Sequence, residues 1–201
     1  TVAGRREFKP GDEFRLERGE TLVVDFGQNC AAVPRFSFSA PKGTRLTVLP
    51  REMLNDGDGL KSRGNDGPGD SVYRSNVRGA RATVNYTFAG RRLERYAPSF
   101  TYFGCRYLSV VATDDVAFES IELVPVTSLS AEAEGGSFET GSLQVNRLFA
   151  NIRWGMRSNY LAVPTDCPQR DERLGWTADT QVFAAAAFRN ADVYDFLRKW
   201  M

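Results

Sequence analysis

The chain has 201 residues and a formal charge of +1, and its 26 basic and 25 acidic side chains are interspersed, so it carries no field or basic run for nucleic acid. Histidine is absent, which excludes Ser-His-Asp and Cys-His catalysis and His-ligated zinc or iron; Cys30, Cys105 and Cys167 are too widely spaced for a disulfide framework or a metal pair. No apolar run approaches the roughly 20 residues that cross a bilayer, and neither nucleic acid nor membrane is an expected partner.

The N-terminus, Thr1 to Arg6, has no signal-peptide core and no initiator Met, as a processed or excised piece would lack, which leaves the compartment open between cytoplasm and periplasm or secretion. From residue 14 to 126 the chain reads as short extended segments: 22–26, 33–38, 46–49, 82–88, 107–111 and 118–123. Several alternate apolar with polar residues, as strands with one buried face do. Breakers such as Pro41-Lys42-Gly43 and Ala89-Gly90-Arg91 separate them at the spacing of an antiparallel β-sandwich.

Residues 55–79 are rich in Asp, Asn and Gly and read as a long solvated loop; the alternate aspartates have hard-cation chemistry but not the spacing of a calcium-binding EF-hand loop. Tyr96, Phe100, Tyr102, Phe103 and Tyr107 are either a sugar-stacking platform or, as aromatic clusters more often are, core. The expected sandwich spans 1–128.

A polar linker, 129–139, precedes a change of pattern. Leu143, Leu148, Phe149, Ile152 and Met156 recur on one helical face, so the first helix starts at a Thr140 or Ser142 cap and ends near Tyr160. Thr177 is expected to cap a second helix reaching Phe188, and Asn190 or Asp192 a third.

Between the first two helices lies Val163 to Asp179. Pro164 and Pro168 stiffen this connection, and it carries four carboxyl groups, two arginines and an indole. A sugar ring needs such groups: carboxylates and guanidiniums for hydroxyls, a flat aromatic face, and a carboxylic acid to protonate the leaving oxygen. A charged connection exposed to solvent would have the same composition. Cys167, with no imidazole to activate it, reads as a packing thiol.

The string from Asp166 to Asp179 resembles the signature D-C-P-x-R-D-E-R-x-G-W-x-G-D of bacterial α-L-rhamnosidases of glycoside hydrolase family 78, departing from it only at Ala178. Segments 25–29, 51–57 and 98–107 are similar to parts of the β-sandwich that precedes the catalytic domain in that family. The resemblance implies a multidomain β-then-α chain: an antiparallel β-sandwich followed, over 140–201, by the first helices of an (α/α)6 barrel. It implies hydrolysis of terminal α-L-rhamnose from glycosides or polysaccharides with inversion, needing neither metal nor cofactor. Glu172 would be the general acid, Asp166, Arg170, Trp176 and Asp179 would bind substrate, and the general base would lie beyond Met201, so that residues 1–201 alone would be inactive. The uncovered helical faces would meet the rest of the barrel or a second copy in a homo-oligomer. A carbohydrate-binding or structural sandwich, or a barrel hydrolase for another sugar, remains the rival reading.

Overall fold

In the computed structural model the described residues are Lys9, 11–57 and 64–201. The chain forms two compact units, one of Thr1–Val124 with Gln169–Asp171, the other of Pro125–Pro168 with Glu172–Met201.

Among its described residues the first unit is one antiparallel sheet of seven strands: β1 (Phe14–Leu16), β2 (Thr21–Ser39), β3 (Arg45–Arg51), β4 (Val84–Thr87), β5 (Glu94–Tyr96), β6 (Phe103–Ala112) and β7 (Val116–Pro125). Their order is β1-β7-β2-β6-β3-β4, with β5 also on β2. The alternation predicted at 46–49 and 107–111 is realised in register: Leu46, Val48, Leu108 and Val110 are buried, and Val48 stands opposite Val110. One core, filled also by Phe36, Phe38, Phe88 and Phe118, serves the whole sheet.

Two predicted strands, 22–26 and 33–38, are a single 19-residue strand. Continuity across Gly27 comes from a bulge between Asp25 and Cys30, where Gly27 takes φ +76°. Pro34, which has no N–H to give a ladder, falls between the β6 pairing, ending at Ala32, and the β5 pairing, starting at Phe36. The strands pair in one continuous antiparallel sheet curled around its core, and the helices follow it in the chain, as the expected β-then-α architecture requires.

Glu94 is a buried carboxylate at the edge of this core, 5 % exposed. It accepts from the Tyr86 hydroxyl at 2.6 Å and from the backbone N–H groups of Ala89, Gly90 and Arg91 at 3.0 Å each. Burial opposes ionisation, but these four donors outweigh it and hold the carboxyl below the usual range. Burial, with the Glu94 hydrogen bond second, pushes the Tyr86 phenol up to about 12. A carboxyl lowered on folding stabilises the fold above its unfolded value, about pH 4.3, and the contribution is lost as pH falls through the folded value. Glu94→Gln is therefore expected to flatten the acid side of the stability profile, read as unfolding midpoints in urea from pH 6 down to pH 3; an unchanged slope would exclude this carboxylate as the source.

Among its described residues the 55–79 segment is a loop, as expected, with one 3-10 turn at Ser75–Val77, but it is not wholly solvated. Asn55 and Asn65 are buried, as are Val72 and Val77, and Asn55 Nδ2 reaches Ser71 Oγ at 2.9 Å while Asp66 Oδ2 accepts from Arg74 N, Ser75 N and Ser75 Oγ. Side-chain bonds to the backbone here do the work of a ladder. Asp58 and Gly59, part of the cation reading, lie outside the described residues. Of the aromatic group, Phe103 is core and Tyr96 packs on Tyr86 with centroids 4.8 Å apart, whereas Phe100 stands fully in solvent. The five do not form one platform.

The second unit holds α1 (Leu143–Asn159), the short strands β8 (Tyr160–Leu161) and β9 (Val163–Pro164), α2 (Thr177–Asn190) and α3 (Tyr194–Trp200). Ser142 caps α1, its side chain accepting from Val145 N at 3.4 Å. Thr177 is not a cap: it is the first residue of α2, Trp176 holds the cap position without a side-chain bond, and Val193 precedes α3. Met156, Tyr160, Ala187, Val193 and Leu197 form its core, with Phe183, Phe196 and Trp200 against it. From the predicted α1 stripe Met156 is buried, but Leu143 and Leu148 are 85 % and 58 % exposed.

Candidate active site

The signature loop is fastened to α1 at its start. Thr165 N donates to Asn159 O at 2.7 Å, and Thr165 is buried, which brings Asp166 to the end of α1. Asp166 and Leu174 then close the loop like a clasp: Asp166 N donates to Leu174 O at 3.1 Å, and Leu174 N donates to Asp166 Oδ1 at 2.9 Å. The intervening chain turns through Arg173 at φ +54°, a left-handed conformation that costs a residue with a side chain about 1–3 kcal/mol and is held by the surrounding bonds.

Inside the clasp, the Trp176 indole N–H donates to Glu172 Oε1 at 2.9 Å. Carboxyl oxygens of Asp166 and Glu172 and the Cys167 sulfur all lie within 4.8 Å of one another. Cys167 is buried, as a packing thiol would be, but the packing reading is incomplete, since its Sγ–H donates to Asp166 Oδ2 at 3.1 Å. That spacing suits metal ligation as well; each of the three side chains is already engaged in a hydrogen bond within the loop.

Asp179, in the first turn of α2, and Asp166 both line a cavity of about 620 Å³ whose other walls include Ile152, Met156, Val182 and Phe183. Glu172 and Trp176 are not among its lining residues; Glu172 is half-buried and Trp176 is 47 % exposed. Arg170 is half-buried and groups with the sheet unit, within Gln169–Asp171. Chemically, the cluster offers a carboxyl held on an indole edge and a second carboxyl with both oxygens oriented by the backbone and a thiol. Such groups can deliver a proton and accept from hydroxyls.

Two contributors were not visible in the sequence reading. The Cys167 thiol could have been suspected from its adjacency to Asp166; Trp200, whose indole lies against Gly175, is distant in sequence and had no signal.

Comparison with known proteins assigns both parts. Residues 15–128 match the bacterial α-L-rhamnosidase concanavalin-like domain, and residues 133–201 match the bacterial α-L-rhamnosidase 6 hairpin glycosidase domain. The chain belongs to the bacterial α-L-rhamnosidase family. It is 38 % identical over 180 residues to an α-L-rhamnosidase of Streptomyces avermitilis and 36 % identical over 185 residues to one of Formosa agariphila, covering 90 % and 92 % of this chain. It spans only 16 % and 19 % of those relatives' lengths. The crystal structure of the Streptomyces avermitilis α-L-rhamnosidase complexed with L-rhamnose superposes with a TM-score of 0.72 at 33 % identity, covering 95 % of this chain and 18 % of that one. Among the described residues no helix is long and apolar enough to cross a membrane.

Proposed function

We propose that the full-length protein is an inverting α-L-rhamnosidase in which Glu172 is the general acid. The observation that carries this reading is the Trp176 Nε1 to Glu172 Oε1 bond at 2.9 Å, with an Asp166 oxygen within 4.8 Å of the acid. Because Oε1 accepts the indole N–H, the proton for the leaving group sits on Oε2. It passes to the glycosidic oxygen as the bond to the anomeric carbon breaks, and water attacks that carbon from the opposite face. Asp166 and Asp179 accept from sugar hydroxyls, Trp176 forms an apolar wall, and Arg170 adds a further contact.

Inversion needs its two carboxyls roughly 6.5–9.5 Å apart. Asp166 is too close to Glu172 for that role, and both its oxygens are engaged. As the resemblance of the signature loop implies, we assign the base to a carboxylate outside residues 1–201, and this stretch alone is expected to show no turnover. The short separation favours a second reading, retention with Asp166 as nucleophile, since retaining pairs stand about 5–5.5 Å apart. Further helices of the full-length protein would cover Leu143, Leu148 and Val182, the last 86 % exposed.

The test is hydrolysis of a panel of aryl glycosides by the full-length protein, following the anomer first released by proton magnetic resonance. Cleavage of the α-L-rhamnoside with β-L-rhamnose appearing first supports the proposal. The α-anomer first would select retention, and no cleavage of rhamnosides would point to another sugar or to a non-catalytic binding module.

A further inference from the structure

The signature loop has a support outside itself. Leu174 O accepts from Asp166 N and, at 3.1 Å, from Trp176 N, so Gly175 is the centre of a tight turn between the clasp and the indole that grips Glu172. On the open face of that turn lies the α3 residue Trp200. A Cβ placed on Gly175 would meet Trp200 Nε1 at 2.5 Å and Cε2 at 3.1 Å, so the backbone and the indole are in contact with no room for a methyl group. Trp200 is in turn fixed from behind: it is half-buried and packs on the core containing Leu197, Val193 and Tyr160.

We propose that Trp200 is a positioning residue for Glu172, its indole seated on the bare backbone of Gly175 and holding the turn from which Trp176 orients the acid. The inference rests on the reading of Glu172 as general acid. Without Trp200 the turn can relax toward the vacated space, Trp176 moves with it, and the carboxyl loses its aim at the leaving oxygen. A misplacement of about 1 Å costs up to roughly 100-fold in rate.

The experiment compares the full-length protein with Trp200→Ala, Trp200→Phe and Glu172→Gln on two rhamnosides, one with a dinitrophenolate leaving group that departs without a proton and one with an alkyl alcohol that requires it. Trp200→Ala is expected to lower kcat by about 10- to 100-fold on the alkyl rhamnoside and by no more than about twofold on the dinitrophenyl one, any change in KM from the shifted Trp176 wall being common to both substrates. Trp200→Phe, which keeps a ring in the core, shows the same split with a smaller loss and decides the matter if the alanine variant does not fold. Equal losses on both substrates, or no loss, would overturn the inference. If Glu172→Gln itself shows no leaving-group selectivity, the assignment of the acid fails instead, whatever the Trp200 variants do.

Discussion

Replacing Glu172 by Gln in the full-length protein is expected to lower kcat on alkyl and simple aryl rhamnosides by about 10²- to 10⁴-fold, the range that a positioned general acid supplies. Glutamine has the same shape, and its Oε1 can accept the same indole N–H, so the clasp between Asp166 and Leu174 and the Trp176 contact persist. What disappears is the proton. KM is expected to change little, because an interaction used only in the transition state leaves substrate binding intact. Steady-state kinetics beside a thermal melt provide the check: activity within tenfold of wild type in a folded variant would remove Glu172 from the acid role.

Phe38→Ala is expected to cost about 3–5 kcal/mol of stability in the sheet unit. The side chain is fully buried, and its ring centroid lies 4.6 Å from Phe88, 4.9 Å from Tyr86, 5.7 Å from Phe36 and 6.0 Å from Phe118. No neighbour can collapse into the gap without abandoning another ring. Tyr86 is also the phenol that donates to Glu94, so loosening it weakens the buried carboxylate's site. A double-mutant cycle with Glu94→Gln is expected to show a coupling of about 0.5–3 kcal/mol, read from urea unfolding of the sheet unit's transition; strict additivity would separate the ring cluster from the carboxylate.

Legibility in the sequence followed how local the cause was. Leu46 and Val48 on β3 and Leu108 and Val110 on β6 announce their strands by alternation, because the pleat is set by adjacent residues. The continuity of β2 was hidden, since residues 27–32 fell between the two predicted strands, and Gly27 becomes part of a bulge and Pro34 part of a gap between partners only when β6 and β5 take their places. Ser142 was a visible cap, whereas Thr177 had the right chemistry for one and lies one residue inside its helix. In the candidate site, family likeness singled out Asp166, Glu172, Trp176 and Asp179, of which the structure brings Asp166, Glu172 and Trp176 close together. The Cys167 thiol bond depends on a rotamer, and the Trp200 contact on the docking of α3, neither of which residue order encodes locally.

The long β2 strand also sets a timetable. Its ladder partners Phe103 to Val111 and Glu94 to Tyr96 follow it at large sequence separation, and β1 is paired with residues as late as Phe118. At synthesis rates of about 5–20 residues per second, β2 emerges several seconds before any of those partners exists. Loops that long make pairing slow, so the strand's apolar residues, Phe36 and Phe38 among them, stay exposed to aggregation until those partners are made. Once β7 has been made the sheet can close as a unit, before the signature loop and the helices on either side of it have left the ribosome.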